Sequence, residues 1–163
     1  MFLGEIMGKY DKFIRSMKFE KIQNNNCCIC GKYDYISEKH HIIPVSVLSS
    51  VYDIVNDVEI FNKYNRAIVL CPNHHAIYHK LISKNKEILE NLNIKELTIY
   101  RECILENLIF YTETLIRFRK CEKNVKQLES IQQIMKEKKK LEYINKMIDI
   151  YIELLEKYKL KHQ

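Results

Sequence analysis

Apolar residues recur along this chain at spacings that change from one region to the next, and the longest regular stretch lies in the second half. Leu97, Tyr100, Ile104, Leu108, Tyr111, Leu115 and Phe118 step by three and four, the interval that lines up side chains on one face of a helix of about seven turns running from Ile94 to Arg119. A second row, Leu105, Ile109 and Ile116, widens the stripe, so this helix is expected to pack on more than one neighbour. A break is expected between Cys121 and Asn124. The next helix should run from Val125 toward Lys159, with Leu141, Ile144, Ile148, Tyr151, Leu155 and Tyr158 on an alternating three-four seam. The run Lys136-Glu137-Lys138-Lys139-Lys140 interrupts that seam with charge. It reads first as a solvated helical face, and more sharply as a patch that touches phosphate.

The first half is more broken. Ile6, Tyr10, Phe13 and Met17 predict an amphipathic helix, interleaved with Lys9, Lys12, Arg15, Lys18 and Lys21; its basic face is either solvated or turned to DNA. Gln23-Asn24-Asn25-Asn26 is a polar linker. Ile36 to Ile43 has the β-branched look of a short strand ending at Pro44. Residues 45–64 form a long connection whose segment Val51 to Phe61 can be helical, with Ser49 or Ser50 as its cap. Ala67 to Leu70 is a second strand. Pro72 suits the first turn of a helix running from Asn73 to about Lys84, on which His75 and His79 share a face. The pattern is that of an α+β, mostly helical protein in three parts: an N-terminal helix and linker (1–26), a small module (27–84) and a C-terminal helical hairpin (85–163).

Composition narrows the class. Three glycines and two prolines in 163 residues favour long helices over a turn-rich β fold. A charged content of 29% against 47% hydrophobic residues fits a folded chain. A formal charge of +6 and a pI near 8.9 permit a polyanionic partner without requiring one. The Met-Phe-Leu-Gly start lacks the plan of a signal peptide, and no apolar window is long enough to span a bilayer, so a cytoplasmic protein without membrane attachment is expected. There thiols stay reduced, and cysteine spacing is read as metal ligation.

Cysteine and histidine concentrate between Cys27 and His79. Cys27-Cys28-Ile29-Cys30-Gly31 has zinc-knuckle spacing, and Cys71 and His74, also three apart, supply a second pair. Together they compose a tetrahedral Cys3His site, which a module of this size needs as a staple; Cys28 is the poorer alternative to Cys27. This leaves His40, His41, His75 and His79. Adjacent strand residues point to opposite faces, so only one of His40 and His41 can join His75 and His79 around an ion, and the other is left for proton transfer. An ion plus a neutral imidazole is what metal-assisted hydrolysis requires.

The order Cys-x-x-Cys, His-His-Ile-Ile-Pro, then Asn-x-x-x-x-x-Cys-Pro-Asn-x-His-x-x-x-His resembles the HNH endonucleases, whose catalytic unit is the ββα-metal finger. The resemblance covers about residues 27–80. It implies that His40 binds the catalytic metal with His75 and His79, that His41 is the general base, and that Asn65, just before the second strand, orients that base. His74 stands where the family usually has cysteine, and the usual Gly-rich loop after the proline is replaced by a longer, more apolar segment. Asn73 competes with Asn65 for the asparagine role, although its position suits a helix cap.

The expected activity is hydrolysis of DNA phosphodiester bonds, with RNA as a further possible substrate, lost on acidification because a protonated His41 cannot act as base. Zinc is expected at the structural site, and magnesium, manganese, nickel or zinc at the three-imidazole site. The hairpin is read as a homodimerisation element or as a docking surface for a larger partner. Homing, phage and antiphage settings all suit such an enzyme. The competing class is a non-catalytic zinc module that binds nucleic acid or protein.

Overall fold

The protein's structure, a computed structural model, describes residues 25–32, 37–55, 57–83, 86–120 and 125–161. It is an α+β, mostly helical fold. Strand β1 (Glu38–His41) is followed by α1 (Val45–Val55), α2 (Val58–Tyr64), β2 (Ala67–Leu70) and α3 (Pro72–Ile82). A 3-10 turn over Lys86–Asn91 then leads to α4 (Ile94–Phe118) and α5 (Val125–Lys161). The expected N-terminal helix, the linker up to Asn24 and the break at 121–124 lie outside the described residues.

The two strands form one antiparallel ladder in which Glu38 faces Leu70, His40 faces Ile68 and His41 faces Ala67. β1 is shorter than its apolar pattern implies. Ile42 and Ile43 leave the strand and are buried at 5% and 0% exposure: both are drawn inward, although the Ile42 amide still donates to the Arg66 carbonyl at 3.0 Å.

The long connection folds differently from expectation. Helix α1 starts at Val45, directly after Pro44, so Ser49 and Ser50 lie inside it rather than capping it. Ser49 is buried, and the Ser50 hydroxyl donates back to the Ser46 carbonyl, a local bond open to helical serine. The single helical segment is in fact two, because Asp57 restarts the helix: its carboxylate accepts from the Glu59 and Ile60 amides and caps α2. Asn73 is not a cap either; Cys71 holds the N-cap position of α3, with Pro72 in the first turn.

Helices α4 and α5 pack along one another in opposite directions, tied by Arg101 and Asp149 at 2.7 Å. Of the α5 seam, Leu141, Ile144 and Ile148 are buried, Tyr151 and Leu155 are half-buried against the core, and Tyr158 is exposed, as are Leu154 and Leu160 beside it. One continuous core of buried residues extends from Cys27 to Ile148. No described helix is long and apolar enough to cross a membrane.

Helix α4 is the spine against which the strands and α2 are set. Near its start Tyr100 donates to the His74 carbonyl at 3.1 Å. In its middle the Asn107 amide donates to the Ile42 carbonyl at 2.8 Å, and Arg66 meets Glu106. Toward its end Glu113 receives Lys63 and Tyr64, and Arg117 pairs with Asp57. The exposed members of this series contribute little individually. Asn107 is different, because it is only 4% exposed and also reaches the Cys103 carbonyl. Asn107→Ala is expected to cost about 1–3 kcal/mol, the usual penalty for stranding a buried polar partner. A urea melt with an unchanged midpoint and slope would contradict that assignment.

Candidate metal centres

Among the described residues, two groups of side chains have donor atoms close enough to hold a metal ion: Cys27, Cys30, Cys71 and His74, and separately His40, His75 and His79, each set lying within 4.8 Å. The first group is assembled by three short segments. The knuckle turns back on itself through the Gly31 amide donating to the Cys27 carbonyl at 2.8 Å and the Cys27 amide to the Lys32 carbonyl at 3.1 Å. Gly31 adopts φ of 70°, a left-handed conformation that glycine enters without a Cβ penalty. The Cys28 amide donates to the Val69 carbonyl, which fastens the knuckle beside β2 and the start of α3. Cys71 and His74 then project from the first turn of that helix.

The donor atoms meet at His74 Nδ1, which lies 3.4 Å from Cys27 Sγ and 3.1 Å from Cys71 Sγ. Burial works against ionising Cys27, but backbone amides of Cys30, Cys71 and Ile29 outweigh it and hold the thiol down at about 6. Burial raises the Cys71 thiol, and the neighbouring Cys27 adds to that effect. A Cys3His donor set of this span fits a tetrahedral ion such as zinc, which binds cysteine as thiolate. Cys28 is exposed and is not a member of the group.

The second group joins the end of β1 to one face of α3. His75 Nε2 and His79 Nε2 stand 2.9 Å apart, close enough for both nitrogens to face one ion. The His40 ring packs edge-on to both, with centroids 4.8 and 5.2 Å away. Glu38, on the same strand face as His40, places a carboxylate oxygen 3.3 Å from His75 Nδ1, which leaves Nε2 for the shared point. Burial and then the repulsion of His75, His79 and His41 push His40 down to about 4, and burial together with His75 lowers His79. Both imidazoles are therefore favoured in the neutral form that can donate to a metal.

These shifts give a direction for stability. In protein loaded with one equivalent of zinc at the cysteine group, the folded state binds fewer protons than the unfolded chain between about 4 and 6.5. Stability is then present above the upper value and declines as pH falls through that window. Thermal melts from pH 7 to 4 should show the decline, and His40→Ala should flatten it; an identical slope in both proteins would refute this origin.

His41 and Asn65 occupy other positions. The three clustered histidines and His41 border one groove of about 420 Å³, further lined by Lys39, Asn107, Glu137 and Lys140. β1 ends at His41 and the chain bends at Ile42, so both members of the histidine pair reach this groove. Asn65 terminates α2, two residues before β2, and its side-chain oxygen is buried; it is not among the residues lining the groove.

Glu38, Glu96 and Asn107 adjoin these groups although spacing does not single them out, and Tyr100 stands out only as a member of the apolar stripe. Of the first three, only Glu96 carries a local signal, since Asn93-x-x-Glu96 has the form of a capping box. No family model, curated protein or solved structure matches the chain.

Proposed function

We propose that this protein is a metal-dependent endonuclease of the HNH type that hydrolyses phosphodiester bonds in DNA. The observation that carries the reading is the convergence of His40, His75 and His79 within 4.8 Å on a groove that His41 also borders, separate from a Cys3His group suited to holding the fold. A divalent ion at the three imidazoles would supply charge neutralisation at the phosphate and at the departing 3′ oxygen. His41, adjacent to the ligand set but outside it, accepts a proton from the attacking water. Glu38 holds the His75 ring in orientation, and Asn107 holds the backbone immediately after His41. Asn65 fits the part of an orienting residue through its place before β2.

Lysines along the groove support a polyanionic substrate: Lys39 and Lys140 border it, Lys140 also pairing with Glu137. Glu137 and Lys140 also border an adjoining depression with Lys136 and Lys139, which make no ion pair among the described residues. The charged run in α5 thus lies beside the histidines, where cations can meet successive phosphates. The test is incubation of supercoiled plasmid with the purified protein and manganese, using a His41 variant as control. Nicking by the wild type alone supports the reading, and an intact plasmid across manganese, nickel, magnesium and zinc rejects it.

A further inference from the structure

We propose that Glu96, in the first turn of the helical hairpin, is the residue that positions His74 as a ligand of the Cys3His group, so that the hairpin contributes to ion binding through this one side chain. His74 presents two ring edges with different partners. Its Nδ1 faces the sulfurs of Cys27 and Cys71 at 3.4 and 3.1 Å, and its Nε2 lies 3.3 Å from Glu96 Oε1. A carboxylate accepting the Nε2 proton leaves the lone pair on Nδ1, orients the ring and makes it a stronger donor. Both side chains are largely buried, at 10% and 14% exposure, where such a contact is strengthened by the low local dielectric.

The two oxygens of Glu96 are divided between two duties. While Oε1 meets His74, Oε2 accepts the Asn93 amide at 2.8 Å, and Asn93 returns the favour by accepting the Glu96 amide at 3.0 Å. This reciprocal cap starts α4. One turn further, Tyr100 donates to the His74 carbonyl. Ring and main chain of a single ligand residue are therefore gripped by one face of α4. A cysteine at position 74 would offer this helix no second side-chain atom to hold, so the coupling follows from histidine standing there. The inference rests on the Cys3His group alone and is independent of nuclease activity.

Zinc affinity of the full chain, measured by competition with a chromogenic chelator, tests it. Glu96→Gln keeps the side-chain length but has one acceptor oxygen, which cannot serve His74 and Asn93 together. It should weaken zinc binding by about 10–100-fold. Asn93→Ala removes the other half of the cap and should lower the melting temperature while leaving zinc affinity within about twofold of wild type. In a His74→Cys background, adding Glu96→Gln should change zinc affinity by no more than about twofold. Wild-type affinity in Glu96→Gln, an equal loss in Asn93→Ala, or an undiminished loss in the His74→Cys background would each overturn the proposal. The first two comparisons decide it even if the cysteine variant does not fold.

Discussion

His41→Ala is expected to lower plasmid cleavage by about 10²–10⁴-fold, the range associated with loss of a positioned acid or base, while both metals remain bound. The separation of effects is the informative part. His41 borders the same groove as the three clustered imidazoles but is not among the residues whose donors converge. On the proposed mechanism, removing it takes away the group that accepts a proton from water and leaves the ligand set intact. His40→Ala, His75→Ala and His79→Ala should instead lose activity together with the ion, and recover part of it at raised manganese. Metal content by native mass spectrometry, read alongside nicking rates, separates the two patterns. Near-normal cleavage by His41→Ala would sink the enzyme assignment for this residue. Loss of zinc or of the second ion in that variant would make His41 a ligand, as the non-catalytic reading requires.

Stripping the Cys3His ion is expected to unfold the region from the knuckle through α3. Apparent binding free energies of structural zinc are on the order of 10 kcal/mol or more, comparable to the whole net stability of a domain. The knuckle has few other ties: Cys27 and Ile29 are buried, Cys30 and Gly31 are exposed, two backbone bonds close the turn and a third reaches Val69. Cys71→Ser should reproduce the effect, because Cys71 sits at the N-cap of the helix that also bears His75 and His79. Far-ultraviolet circular dichroism with a strong chelator, followed by zinc add-back, measures this. A melting temperature that chelation leaves unmoved would show that the apolar core alone suffices.

The helical hairpin was the most legible part of the fold. Leu97, Tyr100, Ile104 and Phe118 on α4, and Leu141, Ile144 and Ile148 on α5, follow a helical period and are all buried. The predicted start and end of α4 differ from the observed ones by no more than a terminal residue, as Asn93 and Glu96 close its first turn. Ala67 to Leu70 was likewise readable, being a compact β-branched run between a helix cap and a proline. The connection after Pro44 was not. Val45, Leu48 and Val51 face the core at helical spacing, but the serines within that stretch resemble caps, and the Asp57 cap lies inside what reads as one apolar run. Local spacing named the cysteine group, His75 and His79 because each pair sits on a single turn or one helix face, whereas the choice of His40 over His41 came from the resemblance to the HNH endonucleases. Spacing could not name Glu38, Glu96 or Asn107 as their neighbours. Glu96 and Asn107 reach their partners only across the fold, and Glu38 meets a ring on another element.

The spine role of α4 also sets an order in time. Asn107 meets Ile42 across 65 residues and Arg117 meets Asp57 across 60, and the groove wall supplied by Glu137 and Lys140 comes later still in the chain. At roughly 5–20 residues per second, a ribosome releases every cysteine and histidine of the two groups several seconds before it releases that wall. The nascent chain can therefore bring both sets of ligands together early, yet the histidine groove is enclosed only once α5 has emerged.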